Sequence, residues 1–369
     1  MTNLSKQIGV GILGCGKISQ AYFDGAMTFD VLKVVACADL NEAVAHTKAE
    51  ENGCEALSIE ALLAHPDIQI VINLTIPAAH AAVSSDILNA GKHVYCEKPL
   101  TVDLEDAQKL LALAESKGLL VGCAPDTFFG AGIQTCREII DSGKLGRITS
   151  GTAFMLSAGP ESWHPNPGFY YLIGGGPVLD MAPYYLTALI NFLGPVKCVC
   201  AVTSKARTER TATCKEQAGK VFPVEVNTHA SGTLLFHNGA VITAVFSFDI
   251  VAAKHGPIQL YGTEGSIQVP DPNTFGGPVS SYVRGDKEWT AHELSRPYAK
   301  NMRGIGVADM ARAILTSRSH RASGALACHV LEVMHAFDQS SETGHAVEIK
   351  SRPAQPAALP FGLAEGELD

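Results

Sequence analysis

Residues 8–19 read Ile-Gly-Val-Gly-Ile-Leu-Gly-Cys-Gly-Lys-Ile-Ser, and this stretch decides the fold of the first domain. Its apolar start predicts a buried β-strand, and the residues after the glycines predict a helix. Gly14 permits the tight turn between them, and Gly16 lets the backbone approach a bound pyrophosphate. Free amides at the helix N-terminus favour an anion there. The stretch therefore predicts a dinucleotide-binding turn formed by Gly14, Cys15, Gly16, Lys17 and Ile18.

A second apolar strand ends at Asp39. It lies about 20 residues beyond the glycines, where dinucleotide-binding domains place an acidic residue on the adenine ribose. A carboxylate at this point repels the 2′-phosphate of NADP, and no arginine follows directly to bind that phosphate. The sequence therefore favours NAD over NADP as the cofactor. The alternative is an aspartate that only caps the end of the strand and binds no ligand.

The elements that follow divide the chain into two domains and an arm. Strands alternate with helices over residues 1–125, which predicts βαβ units and a mostly parallel Rossmann sheet. Over residues 126–350, longer segments alternate apolar and polar residues, and Asn238-Gly239 is a strong hairpin signal. This pattern predicts an α+β domain with a largely antiparallel sheet. Three prolines and no periodicity predict an extended arm over residues 351–369.

Composition limits the class of protein. The chain has 369 residues, of which 46% are apolar and 18% charged, so we expect a globular protein. Its net charge of −9 argues against binding to nucleic acid or to an anionic membrane. The start of the chain has no long apolar run, and the ten cysteines are scattered, which favours a cytoplasmic protein with reduced thiols. No cluster of His, Cys and carboxylates has metal-site spacing, so we expect no metal.

Two further segments carry candidate catalytic groups. Glu97-Lys98-Pro99 follows a short strand, at the sheet edge where open α/β sheets bind ligands. A surface ion pair is the alternative there. In residues 174–185 three glycines lead into a helix, and Asp180 and Tyr184 are four positions apart on one face. A carboxylate and a phenol so placed can bind and deprotonate a hydroxyl, whereas helix capping with a core tyrosine is the alternative.

Together, the glycine turn, Glu97-Lys98-Pro99 and the glycine-rich Asp180/Tyr184 segment resemble the Gfo/Idh/MocA family of oxidoreductases. The resemblance covers nearly the whole chain, including Tyr261–Gly265 and the segment Arg303–Asp309. It implies an N-terminal Rossmann domain and a C-terminal domain with an open sheet, through which the chain forms a homodimer or homotetramer. It also implies hydride transfer between a nicotinamide cofactor and a secondary alcohol or ketone of a sugar or polyol.

The resemblance assigns roles to individual residues. Lys98 matches the family's active-site lysine, and Asp180 matches the aspartate that positions the substrate. Tyr184 stands where inositol and glucose dehydrogenases often have histidine, but glucose–fructose oxidoreductase and some sugar ketoreductases also have tyrosine. We therefore expect Tyr184 to accept the proton, with Lys98 as the alternative base. The positions expected to line the cofactor are Leu74, Thr75, Pro77, His80, Glu97 and Lys98.

Four residues are expected to contact the substrate: Asp126, Trp163, His164 and His255. Asp126 lies in Ala124–Phe128, where many family members have a Tyr-Asn-Arg-Arg-like segment, so the floor of the sugar site differs here. Trp163 could stack on a sugar ring and His164 could bond to its hydroxyls. His255 belongs to a second loop that could reach the site.

Three functions remain open from the sequence. The favoured one is an NAD-dependent sugar or polyol dehydrogenase acting on a small sugar, polyol or glycoside. The first alternative is an NAD-dependent glycosidase, which oxidises a glycoside transiently at C3 and recycles its NAD. The second is a non-catalytic NAD-binding sensor, and the presence of Lys98, Asp180 and Tyr184 argues against it.

Overall fold

The computed structural model describes residues 7–369. Residues 1–6 lie outside the described residues. They include the start of the expected first domain and part of the stretch in which we expect no secretory segment. Within residues 7–369, no helix combines the length and the apolar character needed to cross a membrane.

The first domain is built on six parallel strands. They are β1 Ile8–Leu13, β2 Leu32–Ala38, β3 Glu55–Ala56, β4 Ile70–Asn73, β5 His93–Cys96 and β6 Val121–Cys123. The helices between them are α1 Ser19–Thr28, α2 Glu42–Asn52, α3 Ile59–Ala64, α4 His80–Asn89 and α5 Leu104–Lys117. The strand order β3-β2-β1-β4-β5-β6 confirms the expected Rossmann sheet. The order reverses between β1 and β4, and such sheets bind dinucleotides at that point.

The sequence pattern predicts one helix over residues 128–142, but the structure interrupts it. A 3₁₀ turn spans Thr127–Phe129, Gly130 is extended, and α6 then runs over Ala131–Asp141. The N–H of Ala131 donates to the carbonyl of Tyr298 (2.8 Å). A Cβ atom on Gly130 would lie 2.4 Å from the carbonyl oxygen of Phe275. The break therefore comes from packing against distant backbone, which a local pattern does not contain.

The second domain is built on a nine-stranded sheet. Its strands are β7 Ile148–Leu156, β8 Val196–Ser204, β11 His229–Phe236, β12 Val241–Ser247, β13 Ile258–Gly262, β14 Gly265–Val269, β15 Val279–Val283, β16 Thr290–His292 and β17 Val347–Glu348. A separate two-stranded sheet pairs β9 Glu209–Thr211 with β10 Val221–Pro223. The order is β16-β15-β14-β13-β7-β12-β11-β8-β17, and only the β7–β12 pair is parallel. The expected antiparallel sheet is therefore confirmed, with β11 and β12 forming the hairpin at Asn238-Gly239.

Besides α6, three helices belong to this domain: α7 Gly176–Leu193, α8 Ile305–Thr316 and α9 Gly324–Thr343. Helix α7 packs against β7 and β12, and α9 packs against β8 and also against α5 and β6 of the first domain. Residues 351–369 form no helix or strand and pack back on the chain. There the Arg137 guanidinium donates to the carbonyl of Pro356 (3.0 Å) and Leu359 is buried. These contacts attach the C-terminal arm to α6 of the second domain.

Candidate active site

A cleft of about 330 Å³ opens where the loops after β1, β4 and β5 meet the start of α7. Its volume lies at the lower end of the range for small-molecule sites. The cleft is the point at which the two domains contribute to one site. The residues that line it are Ile18, Leu74, Thr75, Pro77, His80, Glu97, Lys98, Pro99, Phe169, Tyr170, Gly174, Gly175, Leu179, Asp180 and Tyr184.

Lys98 and Asp180 form an ion pair inside this cleft. Lys98 Nζ lies 2.7 Å from the Asp180 carboxylate and 2.6 Å from the Asp180 carbonyl oxygen. Burial alone lowers the pKa of Lys98, but the neighbouring Asp180 charge and the phenol of Tyr184 raise it above its usual range. Lys98 is therefore protonated at neutral pH, and its ammonium group is held against Asp180.

Tyr184 lies beside this pair, with its ring centroid 5.3 Å from Lys98 Nζ. Its side chain is mostly buried, and burial raises the pKa of Tyr184, while the charges of Lys98 and Arg303 pull it back in part. The phenol is consequently protonated at neutral pH. It can give a proton to a ketone oxygen there, and it can take a proton from an alcohol more readily as the pH rises.

Arg303 is a site residue that the sequence reasoning missed. Its guanidinium charge is close enough to the Tyr184 phenol to lower the pKa of that phenol. Its two terminal nitrogens donate to the side-chain oxygens of Asn301 (3.1 Å) and Asn273 (3.2 Å). The available signal was its place directly before Gly304 at the start of α8, inside the segment that resembles the family. Nothing local indicated that this segment would reach Tyr184.

Asp126, expected at the floor of the sugar site, faces α8 instead. One of its carboxylate oxygens accepts the N–H of Gly304 (2.8 Å) and the N–H of Gly306 (3.2 Å). The residue is 1% exposed. Burial raises the pKa of Asp126 to about 6, although Arg303 and the two amides oppose the shift. The structure therefore places Asp126 as a buried cap that holds the start of α8, away from the lining of the cleft.

The glycine turn has the form that a dinucleotide requires. Gly14 has a φ of +101°, and a Cβ atom there would lie 2.8 Å from the backbone of Leu74. A Cβ atom on Gly16 would enter open space at the start of α1, so the backbone there is free to meet a pyrophosphate. Asp39 accepts the N–H of Cys15 (2.8 Å) and of Asn41 (2.8 Å). The carboxylate is thereby fixed beside the turn, and the residues present fit a dinucleotide.

Two other residues expected to line the cofactor, His80 and Glu97, form hydrogen bonds within the protein. The two ring nitrogens of His80 lie 2.6 Å from the carbonyl oxygen of Pro99 and 3.0 Å from that of Thr75. His80 is fully buried, so it links the loop after β4 to the loop that carries Lys98. Glu97 accepts the phenol of Tyr22 (2.7 Å). Both residues thus hold the loops of the cleft. Lys17 follows the glycine turn with an exposed side chain.

The loop before α7 brings aromatic rings to the cleft, but not the rings that were expected. Phe169 and Tyr170 line it. Trp163 and His164 pack edge-on against Tyr170, with centroid distances of 6.2 and 4.9 Å, and are not among the residues that line the cleft. Burial and the charge of Asp180 raise the pKa of Tyr170 to about 12. The composition of the loop indicated aromatic contacts, but it did not indicate which ring faces inward.

His255 is not brought to the cleft. Its ring lies 5.0 Å from that of Phe154 on β7, and the residue is exposed. Within residues 7–369, no group of three or more His, Cys, Asp or Glu side chains is placed to hold a metal ion. The ionisable side chains that line the cleft are Lys98, Glu97, Asp180, His80, Tyr170 and Tyr184.

Comparisons with known proteins identify the family of both domains. Residues 8–124 match the family model described as "Oxidoreductase family, NAD-binding Rossmann fold", and residues 133–268 match the "GFO/IDH/MocA C-terminal domain". A dTDP-3,4-didehydro-2,6-dideoxy-alpha-D-glucose 3-reductase from Saccharopolyspora spinosa is 28% identical over 305 residues, which are 81% of this chain and 86% of the relative.

Two further similarities extend over almost the full length. D-xylose 1-dehydrogenase (NADP(+)) 2 from Haloferax volcanii is 26% identical over 348 residues, covering 92% of this chain and 99% of the relative. A solved structure of levoglucosan dehydrogenase in complex with NADH has a TM-score of 0.80 at 21% identity, covering 94% of this chain and 100% of that one. The matched domains, their order and the fold lead to one conclusion: the chain belongs to the Gfo/Idh/MocA family of NAD(P)-binding sugar oxidoreductases.

Proposed function

We propose that this protein transfers hydride between NAD and a secondary hydroxyl or ketone of a sugar, polyol or sugar derivative. The observation that carries the proposal is the 2.7 Å ion pair of Lys98 and Asp180 beside Tyr184. That group shares one cleft with Leu74 and Pro77, which follow the strand next to the glycine turn. A proton-transfer group and a cofactor wall therefore meet in a space of suitable size.

The cofactor position follows from the first domain. When bound, the nicotinamide ring supplies the hydride acceptor or donor. The turn at Gly14–Ile18 would hold the pyrophosphate, and Asp39 would accept hydrogen bonds from the adenine ribose. Leu74, Thr75 and Pro77 would line the path towards Lys98. The chain thus contributes binding and orientation at this end of the cleft.

Side chains of both domains take part in the proton transfer. Tyr184 would accept the hydroxyl proton of the alcohol during oxidation and donate it to the ketone oxygen during reduction. The Lys98 ammonium stabilises negative charge that develops on the phenol or on the substrate oxygen, and Asp180 fixes the direction of that ammonium. The raised pKa of Lys98 argues against the alternative in which Lys98 itself is the base.

The preference for NAD over NADP rests on Asp39. Its carboxylate is fixed by two backbone amides, and Leu40 and Asn41 follow it, so no positive side chain comes next in the chain. A 2′-phosphate would meet a negative charge there. The name of the Haloferax volcanii relative gives NADP as its cofactor, so the preference has to be measured for this protein directly.

We also propose a homodimer or homotetramer that associates through the nine-stranded sheet. Val202 on β8 and Val241 on β12 are 68% and 41% exposed, and such side chains favour burial against a second sheet. Sedimentation velocity of the purified protein tests the association. All ten cysteines have free thiols, which supports a reducing compartment such as the cytoplasm.

The test of function supplies a panel of sugars, polyols, methyl glycosides and aryl glycosides with excess NAD or NADP. Stoichiometric NADH from a sugar or polyol is the expected result. Release of aglycone without net NADH, with deuterium entering C2 when the reaction runs in D₂O, would establish the glycosidase instead. Tight NAD binding by calorimetry without turnover of any compound would favour the sensor and contradict the proposal.

A further inference from the structure

Large apolar side chains are exposed to solvent in the chain segments that contribute to the cleft. We call this set the apolar rim: Ile76, Trp163, Phe169, Leu172 and Ile173. Ile173 is 83% exposed, Ile76 63%, Trp163 62%, and Phe169 and Leu172 41% each. Single exposed apolar residues need no explanation, but a concentrated set beside a binding site indicates a surface that is covered when a ligand binds.

The apolar rim is continuous with the cleft. Ile76 lies between Thr75 and Pro77, which both line the cleft, and Phe169 lines it directly. Ile173 comes immediately before Gly174, another lining residue. The apolar rim therefore adjoins residues that line the cleft.

The interior offers few free polar groups to a ligand rich in hydroxyls. His80 has both ring nitrogens at backbone carbonyls. Glu97 uses one carboxylate oxygen for the phenol of Tyr22 and the other for the N–H of Lys98. Among the described residues that line the cleft, this leaves Lys98, Asp180, Tyr184 and the Tyr170 phenol as the main partners for hydroxyls. A fully hydroxylated ligand that filled the cleft would lose hydrogen bonds to water without replacement.

We propose that the substrate is a glycoside with an apolar, aromatic aglycone, whose sugar ring reaches Lys98, Asp180 and Tyr184 while the aglycone packs on the apolar rim. This inference rests on the proposed function, because it names the substrate class of the same site. Aromatic side chains such as Phe169 and Trp163 bind a flat apolar group well, since stacking and apolar burial act together. The few polar groups inside then need to satisfy only one sugar ring.

The experiment compares matched pairs of substrates. Phenyl and methyl glycosides of glucose, galactose, mannose and xylose, in both anomers, are assayed with NAD for NADH formation and for aglycone release. Calorimetry with NADH present measures binding of the same pairs independently of turnover. We expect the phenyl member of the preferred pair to exceed the methyl member at least about tenfold in kcat/KM and in affinity, since about 1.4 kcal/mol of apolar burial gives that factor.

Two variants assign the preference to the rim. Ile173→Ser should lower the phenyl-to-methyl ratio, because it removes part of the apolar surface of the rim. Val251→Ser is the matched control, since Val251 is 90% exposed and does not line the cleft. The control should keep the wild-type ratio. Both positions are exposed, so neither change removes core packing.

The outcomes separate this inference from the proposed function. Oxidation of methyl glycosides or free sugars with a wild-type ratio near one would overturn the inference and leave the function standing. Aglycone release without net NADH, with a high phenyl preference, would support the inference and overturn the dehydrogenase. If Ile173→Ser dissociates an oligomer in sedimentation velocity and leaves the ratio unchanged, the rim is a contact between two copies of the chain and the inference is wrong. Equal affinity for both members in calorimetry would also overturn it, even without turnover.

Discussion

Replacing Asp126 by Asn or by Ala distinguishes a structural cap from a substrate contact. In the structure one carboxylate oxygen accepts two amide hydrogens, from Gly304 and Gly306, and the side chain is buried. Asparagine keeps an oxygen of the same shape for both amides and removes the buried charge. Alanine removes the oxygen and leaves both amides without a partner.

The two substitutions should have different effects on the free energy of unfolding. Each buried amide left unpaired costs about 1–3 kcal/mol, so Asp126→Ala should be less stable than Asp126→Asn by about 2–6 kcal/mol, since both variants lack the buried charge. For the wild type, a pKa of about 6 against the ordinary 3.8 means that folding disfavours the ionised form. At about 1.4 kcal/mol per pH unit, this amounts to about 3 kcal/mol at neutral pH. Asp126→Asn escapes that penalty but has weaker hydrogen bonds, so it should be about as stable as wild type or up to about 2 kcal/mol more stable.

The pH dependence has a definite direction. Because the folded pKa of Asp126 is raised, its protonated form contributes stability that is complete below pH 4 and lost as the pH rises through about 6. The free energy of unfolding of Asp126→Asn relative to wild type should therefore increase by about 2 kcal/mol between pH 4.5 and pH 7.5. Most other titrating groups cancel in this difference between two proteins.

Urea unfolding, followed by the fluorescence of Trp163 and Trp289 at several pH values, measures these free energies. The same variants are assayed for the KM of the sugar substrate. We expect Asp126→Asn to keep KM within about twofold, because its carboxylate faces α8. A tenfold rise in KM for Asp126→Asn, with no pH-dependent difference in stability, would refute the reasoning and return Asp126 to the sugar site.

Three further predictions concern the cofactor and the proton. Asp39→Ala should weaken NAD binding about tenfold in calorimetry while NADP binding falls less, and tighter binding of NADP than of NAD by the wild type would contradict the assignment. Arg303→Met should move the pH midpoint of alcohol oxidation about one unit upward, because a cation that lowers the pKa of Tyr184 is lost. An unchanged pH profile with a lower kcat would show that Arg303 has only a structural role. Since the raised pKa of Tyr184 keeps the phenol protonated, ketone reduction should persist through neutral pH while oxidation increases in the alkaline range, and initial rates in both directions from pH 6 to 10 test this.

The parts of the fold that the sequence predicted are those with local causes. The bounds of α5, Leu104–Lys117, agree with the pattern because acidic residues begin the helix and Gly118 ends it in a left-handed conformation. The glycine turn depends on positive φ at Gly14, which only a glycine adopts easily. The break at Gly130 depends instead on the distant backbone of Phe275, and no local pattern records that contact.

The residues of the candidate site also differ in whether the sequence indicates their role. Family resemblance joined Lys98, Asp180 and Tyr184 in one expectation, and the structure brings their side chains together. Arg303 was missed because its approach to Tyr184 depends on how α8 begins, which in turn depends on the buried Asp126. Asp126 itself was expected at the substrate because it lies in the segment that replaces the family's Tyr-Asn-Arg-Arg-like stretch, but two amides at the start of α8 donate to its carboxylate.

The most direct test of the account is hydride transfer by Tyr184→Phe and Lys98→Met, measured in single turnovers beside the affinity for NADH. Both residues belong to the proton-transfer group of the cleft, and neither belongs to the glycine turn. We predict that each variant binds NADH within about twofold of wild type and loses about 10²–10⁴-fold in the rate of hydride transfer to or from the sugar. A Tyr184→Phe protein with a wild-type rate and pH profile would contradict the central claim that this phenol moves the proton.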